Sequence, residues 1–212
     1  MHTYSSDTAQ RVVAILRGLT PGRAVEIGSV LKDAGIRTLE VPLNSPYPFA
    51  SIRALRGTLP EEVMVGAGTV LSAEDVRRTH EAGGRLVVAP NCDPEVITTA
   101  LQLGMRVMPG VGTATECFTA LRAGARELKL FPAASYGPAH LKALREVLPS
   151  DVGVWPVGGV TASDVDGWLK AGAAGFGFGG EIFRPTYASA EIGARARHVL
   201  QMIDNNIRGG TP

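Results

Sequence analysis

Cysteine is almost missing from this chain: only Cys92 and Cys117 occur in 212 residues. Two thiols cannot build a disulfide framework or a four-ligand metal site, and their isolation suits a reducing compartment. Excess charge is missing too. With 21 basic and 20 acidic side chains the formal net charge is +1, so the chain has no basic field of the kind that holds a polyanion, and nucleic acid is a poor partner. The Arg53/Arg56 and Arg77/Arg78 pairs fall in polar, helix-like stretches and read as solvated faces. No apolar run approaches the roughly 20 residues that span a bilayer, and residues 1–10 lack the apolar centre of a secretion signal. The expectation is a soluble, cytoplasmic protein with no membrane partner. Histidine is equally sparse. His2 lies in the terminal segment, and His80, His140 and His198 lie in helical stretches. None stands at a strand end beside a second ligand, which disfavours metal chemistry.

What is present is an alternation. A composition of 45% hydrophobic and 19% charged residues supports one soluble domain with a sizeable core. Short apolar, β-branched or Gly-rich runs recur at 12–17, 38–43, 64–69, 86–89, 106–109, 127–131, 154–158 and 174–179. Each is followed by an Ala/Leu/Arg/Glu stretch with helical spacing. Helix starts are marked by Thr20-Pro21, Ser72, Asp93-Pro94 and Ser163-Asp164. Helix stops are marked by Ala34-Gly35, Ala82-Gly83, Leu103-Gly104, Ala123-Gly124 and Ala171-Gly172. Eight β/α units in this length predict a single-domain (β/α)₈ TIM barrel. A doubly wound open sheet is the structural alternative, although no G-x-G-x-x-G follows the first strand. Residues 209–212 read as a frayed tail.

Chemistry in such a barrel sits at the carboxyl ends of the strands. That rule selects Arg17, Glu40, Asn44, Thr69, Asn91 and Lys129, with glycine pairs after the last two strands. Of the four lysines, Lys32, Lys142 and Lys170 lie among polar helical neighbours. Lys129 alone stands inside an apolar strand, Glu127-Leu128-Lys129-Leu130-Phe131. Alternation points it inward while Leu128 and Leu130 face the helices. Burial disfavours the charged amine, which is what a nucleophile attacking a ketone needs. A structural lysine paired with Glu40 or Glu127 is an equally good reading of position alone. Glu40, in Thr38-Leu39-Glu40-Val41-Pro42, shares the inner face and could relay protons. Arg17 offers a planar fork for a substrate carboxylate, and Thr69 a hydroxyl, though a lone Thr at a strand end is more often structural. Gly158-Gly159 and Gly179-Gly180 would let backbone N–H groups approach a phosphate.

These residues resemble a known family. Ala14-Ile15-Leu16-Arg17-Gly18, Leu39-Glu40-Val41-Pro42-Leu43-Asn44-Ser45-Pro46 and Val65-Gly66-Ala67-Gly68-Thr69-Val70-Leu71 are similar to motifs of the 2-keto-3-deoxy-6-phosphogluconate/6-phosphogalactonate aldolases. So are Met108-Pro109-Gly110, Leu128-Lys129-Leu130-Phe131-Pro132 and Val157-Gly158-Gly159-Val160. The likeness spans about residues 12–185. It implies a homotrimer, a Schiff base on Lys129, Glu40 as acid/base, and neither metal nor cofactor. It also implies Arg17 and Thr69 on a small phosphorylated keto acid, with phosphate on the glycine loops. Val41-Pro42-Leu43-Asn44-Ser45-Pro46 and the stretch from Phe131 to Pro138 resemble the phosphogalactonate branch. The Entner–Doudoroff phosphogluconate branch usually carries an arginine near Asn44. The alternatives are that phosphogluconate activity, a phosphate-barrel isomerase or transferase, or a non-catalytic phosphosugar-binding barrel. Gly180 departs from the serine of many relatives, and Glu181 beside it brings a negative charge towards the expected phosphate.

Overall fold

Gly35, Gly83, Gly104, Gly124 and Gly172, each expected to stop a helix, all have positive φ, a backbone conformation open to residues without a Cβ. They end helices and release the chain into the next strand. The computed structural model describes residues 8–209; residues 1–7 of the polar N-terminal segment and residues 210–212 of the expected tail lie outside it. The elements run β1 (Val12–Ile15), α1 (Pro21–Asp33), β2 (Thr38–Pro42), α2 (Pro48–Thr58), β3 (Met64–Gly68) and α3 (Ala73–Glu81). They continue with β4 (Leu86–Val88), α4 (Pro94–Gln102), β5 (Arg106–Met108), β6 (Gly110–Val111), α5 (Ala114–Arg122) and β7 (Glu127–Leu130). The last are α6 (Ala133–Arg145), β8 (Gly153–Pro156), α7 (Val165–Lys170), β9 (Phe176–Phe178) and α8 (Ser189–Gly209).

Most helix starts follow the sequence signals. Pro21 opens α1, the Ser72 hydroxyl accepts from the Asp75 N–H at 3.1 Å, and the Asp93 carboxylate accepts from the Glu95 N–H at 2.8 Å. Asp164 stands at the N-cap of α7 as expected, without a side-chain capping bond of its own. The 3₁₀ turn Ala162–Asp164 ahead of it is capped by Thr161, whose N–H donates to Asp164 Oδ2 at 2.9 Å. An acid three residues after a threonine satisfies the orphan donors from within the turn.

Every predicted strand is present, each one to three residues shorter than its apolar run or shifted by a residue or two. All recorded pairings are parallel, in the orders β5-β4-β3-β2-β1-β9 and β6-β7-β8. Within each sheet consecutive strands are paired, and β9 lies against β1, an order without the reversal of the doubly wound alternative. The architecture is a curled parallel α/β sheet wrapped by helices. Pro109, which has no N–H to donate, separates β5 from β6. The two sheets approach on the other side through the Ala174 N–H to Val154 carbonyl bond at 2.9 Å and a parallel bridge between Val157 and Gly177.

Alternation divides the core as expected. Leu39, Val41, Leu128 and Leu130 belong to the large cluster between sheet and helices. Val13, Leu86, Val88, Met108, Trp155 and Ala174 fill the interior of the curl. Both cysteines are unpaired, and among the described residues no helix is long and apolar enough to cross a membrane.

Candidate active site

The interior apolar layer stops where β2 and β7 present Glu40 and Lys129. Above it, at the carboxyl ends of the strands, lies a cavity of ≈ 710 Å³. A second cavity of ≈ 570 Å³ sits at the opposite mouth, where the first residues of β2, β3, β5 and β7 meet. There Glu127 takes both hydrogen bonds of the Arg106 fork, each at 2.5 Å. Glu127 is therefore committed to Arg106 and is not the partner of Lys129.

Lys129 is 5% exposed, with its Nζ 4.8 Å from the centroid of the Phe131 ring. Burial lowers its pKa; the Glu40 charge opposes that shift and the Arg17 charge adds to it. Glu40 is 2% exposed. Burial raises its pKa, against the pull of Lys129 and then of Arg17. The two feel each other's charge, yet no direct ion pair joins them among the described residues. Desolvation is the largest influence on both, and it favours a neutral amine beside a protonated acid. A free amine can attack a carbonyl carbon, and a protonated acid can release a proton and later take one back.

Gly68, on β3, sets the position of Glu40. A Cβ at residue 68 would overlap the Glu40 carboxyl group and stand 2.6 Å from its Cγ. Only a glycine leaves the carboxyl group its place. Thr69, the next residue, has φ 56°, a left-handed conformation that a β-branched residue rarely adopts and that marks stored strain.

Seven of the ten residues singled out line the cavity: Arg17, Glu40, Lys129, Gly158, Gly159, Gly179 and Gly180. Asn44 reaches it only through Arg17, whose Nη1 donates to Asn44 Oδ1 at 2.6 Å. The Gly18 N–H to Ser45 Oγ bond, 3.0 Å, ties the same two loops together. Thr69 does not line the cavity; it follows Gly68, against which Glu40 packs. Asn91 is exposed and does not line the cavity; its carbonyl accepts from the Gly110 N–H at 3.1 Å. Among the described residues, no group of three His, Cys, Asp or Glu side chains could hold a metal ion.

The end of the cavity formed by the glycine loops has a composition that the glycine pattern did not announce. Tyr187 and Arg195, from the start of α8 and the loop before it, line the cavity with Thr161, Glu181 and Arg184. Arg195 lies over the Tyr187 ring, its Cζ 4.5 Å from the centroid. Neither residue carried a strand-end signal, because each reaches the mouth from the last helical segment. Glu181 turns towards the loop after β8: its Oε1 accepts from the Ala162 N–H at 3.2 Å.

Known proteins share this sequence and shape. The family model for KDPG and KHG aldolases matches residues 5–191. The 2-dehydro-3-deoxy-6-phosphogalactonate aldolase of Escherichia coli K12 is 48% identical over 174 residues, covering 82% of this chain and 84% of that one. A solved structure described as native KDPGal superposes with a TM-score of 0.91 at 42% identity, covering 93% of this chain and 96% of the other. A KDPG aldolase from Legionella pneumophila, solved with pyruvate captured as a covalent carbinolamine intermediate, superposes with a TM-score of 0.79 at 25% identity and covers 96% and 97%.

Proposed function

Because this chain belongs to the KDPG and KHG aldolase family, we propose that it cleaves 2-dehydro-3-deoxy-6-phosphogalactonate to pyruvate and D-glyceraldehyde 3-phosphate through a Schiff base on Lys129. The observation that carries this reading is the pair at the cavity floor. A lysine buried at 5% exposure with a lowered pKa faces an acid whose pKa is raised.

Lys129 adds its free amine to the C2 ketone, forming a carbinolamine. Glu40, whose burial favours its protonated form, supplies the proton that lets water leave, and an iminium remains. Glu40 is now a carboxylate, and it accepts the C4 hydroxyl proton, directly or through a water, as the C3–C4 bond breaks. The electron pair of that bond flows into the iminium to give an enamine, and the aldehyde product departs. Protonation at C3 and hydrolysis return pyruvate and the free lysine. The iminium serves as the electron sink, so no cation is required. Arg17, held by Asn44, meets the substrate carboxylate. Thr69 adds a hydroxyl near the same end, and the backbone N–H groups of Gly158, Gly159, Gly179 and Gly180 receive the phosphate.

The same reading takes the two sheets as one (β/α)₈ barrel, with β5 and β6 forming a single strand bent at Pro109. It takes the working enzyme as a cytoplasmic homotrimer. An isomerase or transferase with the same glycine loops would not need the buried lysine. The direct test is pyruvate release from 2-dehydro-3-deoxy-6-phosphogalactonate, followed with lactate dehydrogenase. Turnover that disappears in Lys129→Ala is expected. No release by the wild-type protein, at any substrate concentration up to millimolar, overturns the proposal.

A further inference from the structure

The Glu181 carboxylate sits where the proposed function puts a phosphate. Its residue follows directly on the Gly179-Gly180 loop, and its Oε1 accepts from the Ala162 N–H at 3.2 Å, just beyond Gly158-Gly159. One side chain thus bridges the two loops assigned to the phosphate, inside the same cavity. Glu181 is half-buried, which leaves its charge partly unscreened. Cations stand close by, and Arg195 feels its charge. Arg195 is paired with Glu191, Nε to Oε1 at 2.9 Å. The Arg184 Nε lies 3.4 Å from where a Cβ on Gly180 would be, and its guanidinium meets no carboxylate among the described residues.

We propose that Glu181 is a specificity-determining residue that acts as an internal competitor for the phosphate monoester of the substrate. This rests on the aldolase reading above and deepens it. A phosphate dianion entering the glycine loops must displace the carboxylate from the Ala162 N–H or lie beside it against like-charge repulsion. Arg184, three residues on and lining the same cavity, offers the displaced carboxylate a guanidinium partner. The chain therefore binds phosphorylated substrate more weakly than its backbone donors alone would allow, while a keto acid without phosphate meets no such competition. The absence of a side-chain hydroxyl at Gly180 sharpens the effect, because no additional donor there offsets the repulsion.

Glu181→Gln isolates the charge, since the amide oxygen still accepts from the Ala162 N–H. The KM for 2-dehydro-3-deoxy-6-phosphogalactonate is expected to fall about tenfold, the size of one like charge removed from a half-exposed seat, with kcat held within about twofold. The inhibition constant of inorganic phosphate, measured as a competitive inhibitor, should fall by the same factor. The rate of pyruvate adduct formation, which involves no phosphate, should not change, and Glu181→Ala should show the same ordering. An unchanged or raised KM in Glu181→Gln, with phosphate inhibition unmoved, overturns this inference and leaves the aldolase reading standing. A wild-type protein with no turnover at all overturns the aldolase reading instead.

Discussion

Gly68→Ala is the substitution that tests the geometry most sharply, because it alters no group capable of chemistry. Residue 68 does not need a positive φ, so alanine is conformationally acceptable there. Its methyl group would nonetheless overlap the Glu40 carboxyl group, and it would stand 2.6 Å from Cγ where ordinary contact begins at 3.4 Å. Glu40 must then retreat by on the order of 1 Å, and a displacement of that size costs a reacting group about 10²-fold. Complete loss of a general acid/base costs about 10²–10⁴-fold. The expected kcat for pyruvate release is therefore about 10²-fold below wild type, with Lys129 still able to form its pyruvate adduct at a reduced rate. Overpacking should also lower stability by about 1–3 kcal/mol, read as the shift in a urea unfolding midpoint. The decisive comparison is the cycle with Glu40→Gln. If Gly68→Ala acts through Glu40, the double variant should be little worse than the poorer single one, because two changes that disable one group are not additive. A wild-type kcat in Gly68→Ala, or fully multiplicative losses in the double variant, refutes the reasoning.

Three further outcomes follow from the same arrangement. Adduct formation with pyruvate needs a neutral Lys129, so its acid limb should lie below the ordinary lysine value of 10.5; Glu40→Gln removes the charge that raises the Lys129 pKa, so the limb should move to still lower pH in stopped-flow or quench measurements, and an unmoved limb refutes the electrostatic coupling. Activity should survive exhaustive chelation, since the iminium replaces a Lewis acid; a loss that zinc or magnesium restores contradicts the mechanism. Side-by-side kinetics should give a higher kcat/KM for the 6-phosphogalactonate substrate than for its gluconate epimer, with real activity on both, since Asn44 rather than an arginine backs Arg17; a clear gluconate preference reverses the assignment of substrate.

The pH dependence of stability has a definite sign for each member of the pair. Lys129 has a folded pKa below its unfolded value, so in the window between them the unfolded chain binds more protons and stability rises with pH. Glu40 has a folded pKa above 4.5, so between that value and its raised one stability falls as pH rises. Desolvation drives both shifts, which is why the pair is tuned for chemistry at some cost to stability.

Much of this was legible in the chain because strand and helix periods separate faces cleanly. Lys129 and Glu40 are single charges inside apolar strands, and alternation alone turned them away from Leu128, Leu130, Leu39 and Val41. The Ala-Gly and Leu-Gly stops were legible for a similarly local reason: a left-handed residue before a strand favours glycine. What escaped was long-range. Nothing local says that Gly68 must be bare because Glu40 lies against it, or that Thr69 is held at positive φ. Tyr187 and Arg195 approach the mouth from the last helical segment, so a rule that searches strand ends passes them by. Asn91 satisfied that rule and yet contributes its backbone to Gly110, because a strand end can be used for holding its neighbour as well as for binding. Ser163-Asp164 marked the start of α7 correctly, but not the 3₁₀ turn before it, which Thr161 and Asp164 close between themselves.

The central claim is a covalent bond to one lysine among four. Incubation with pyruvate, reduction with borohydride and mass-spectrometric mapping of the peptides tests it most directly. The expected result is a single reduced pyruvyl adduct on Lys129, absent from Lys129→Ala, with Lys32, Lys142 and Lys170 unmodified. No adduct, or one on any of those three lysines, contradicts it.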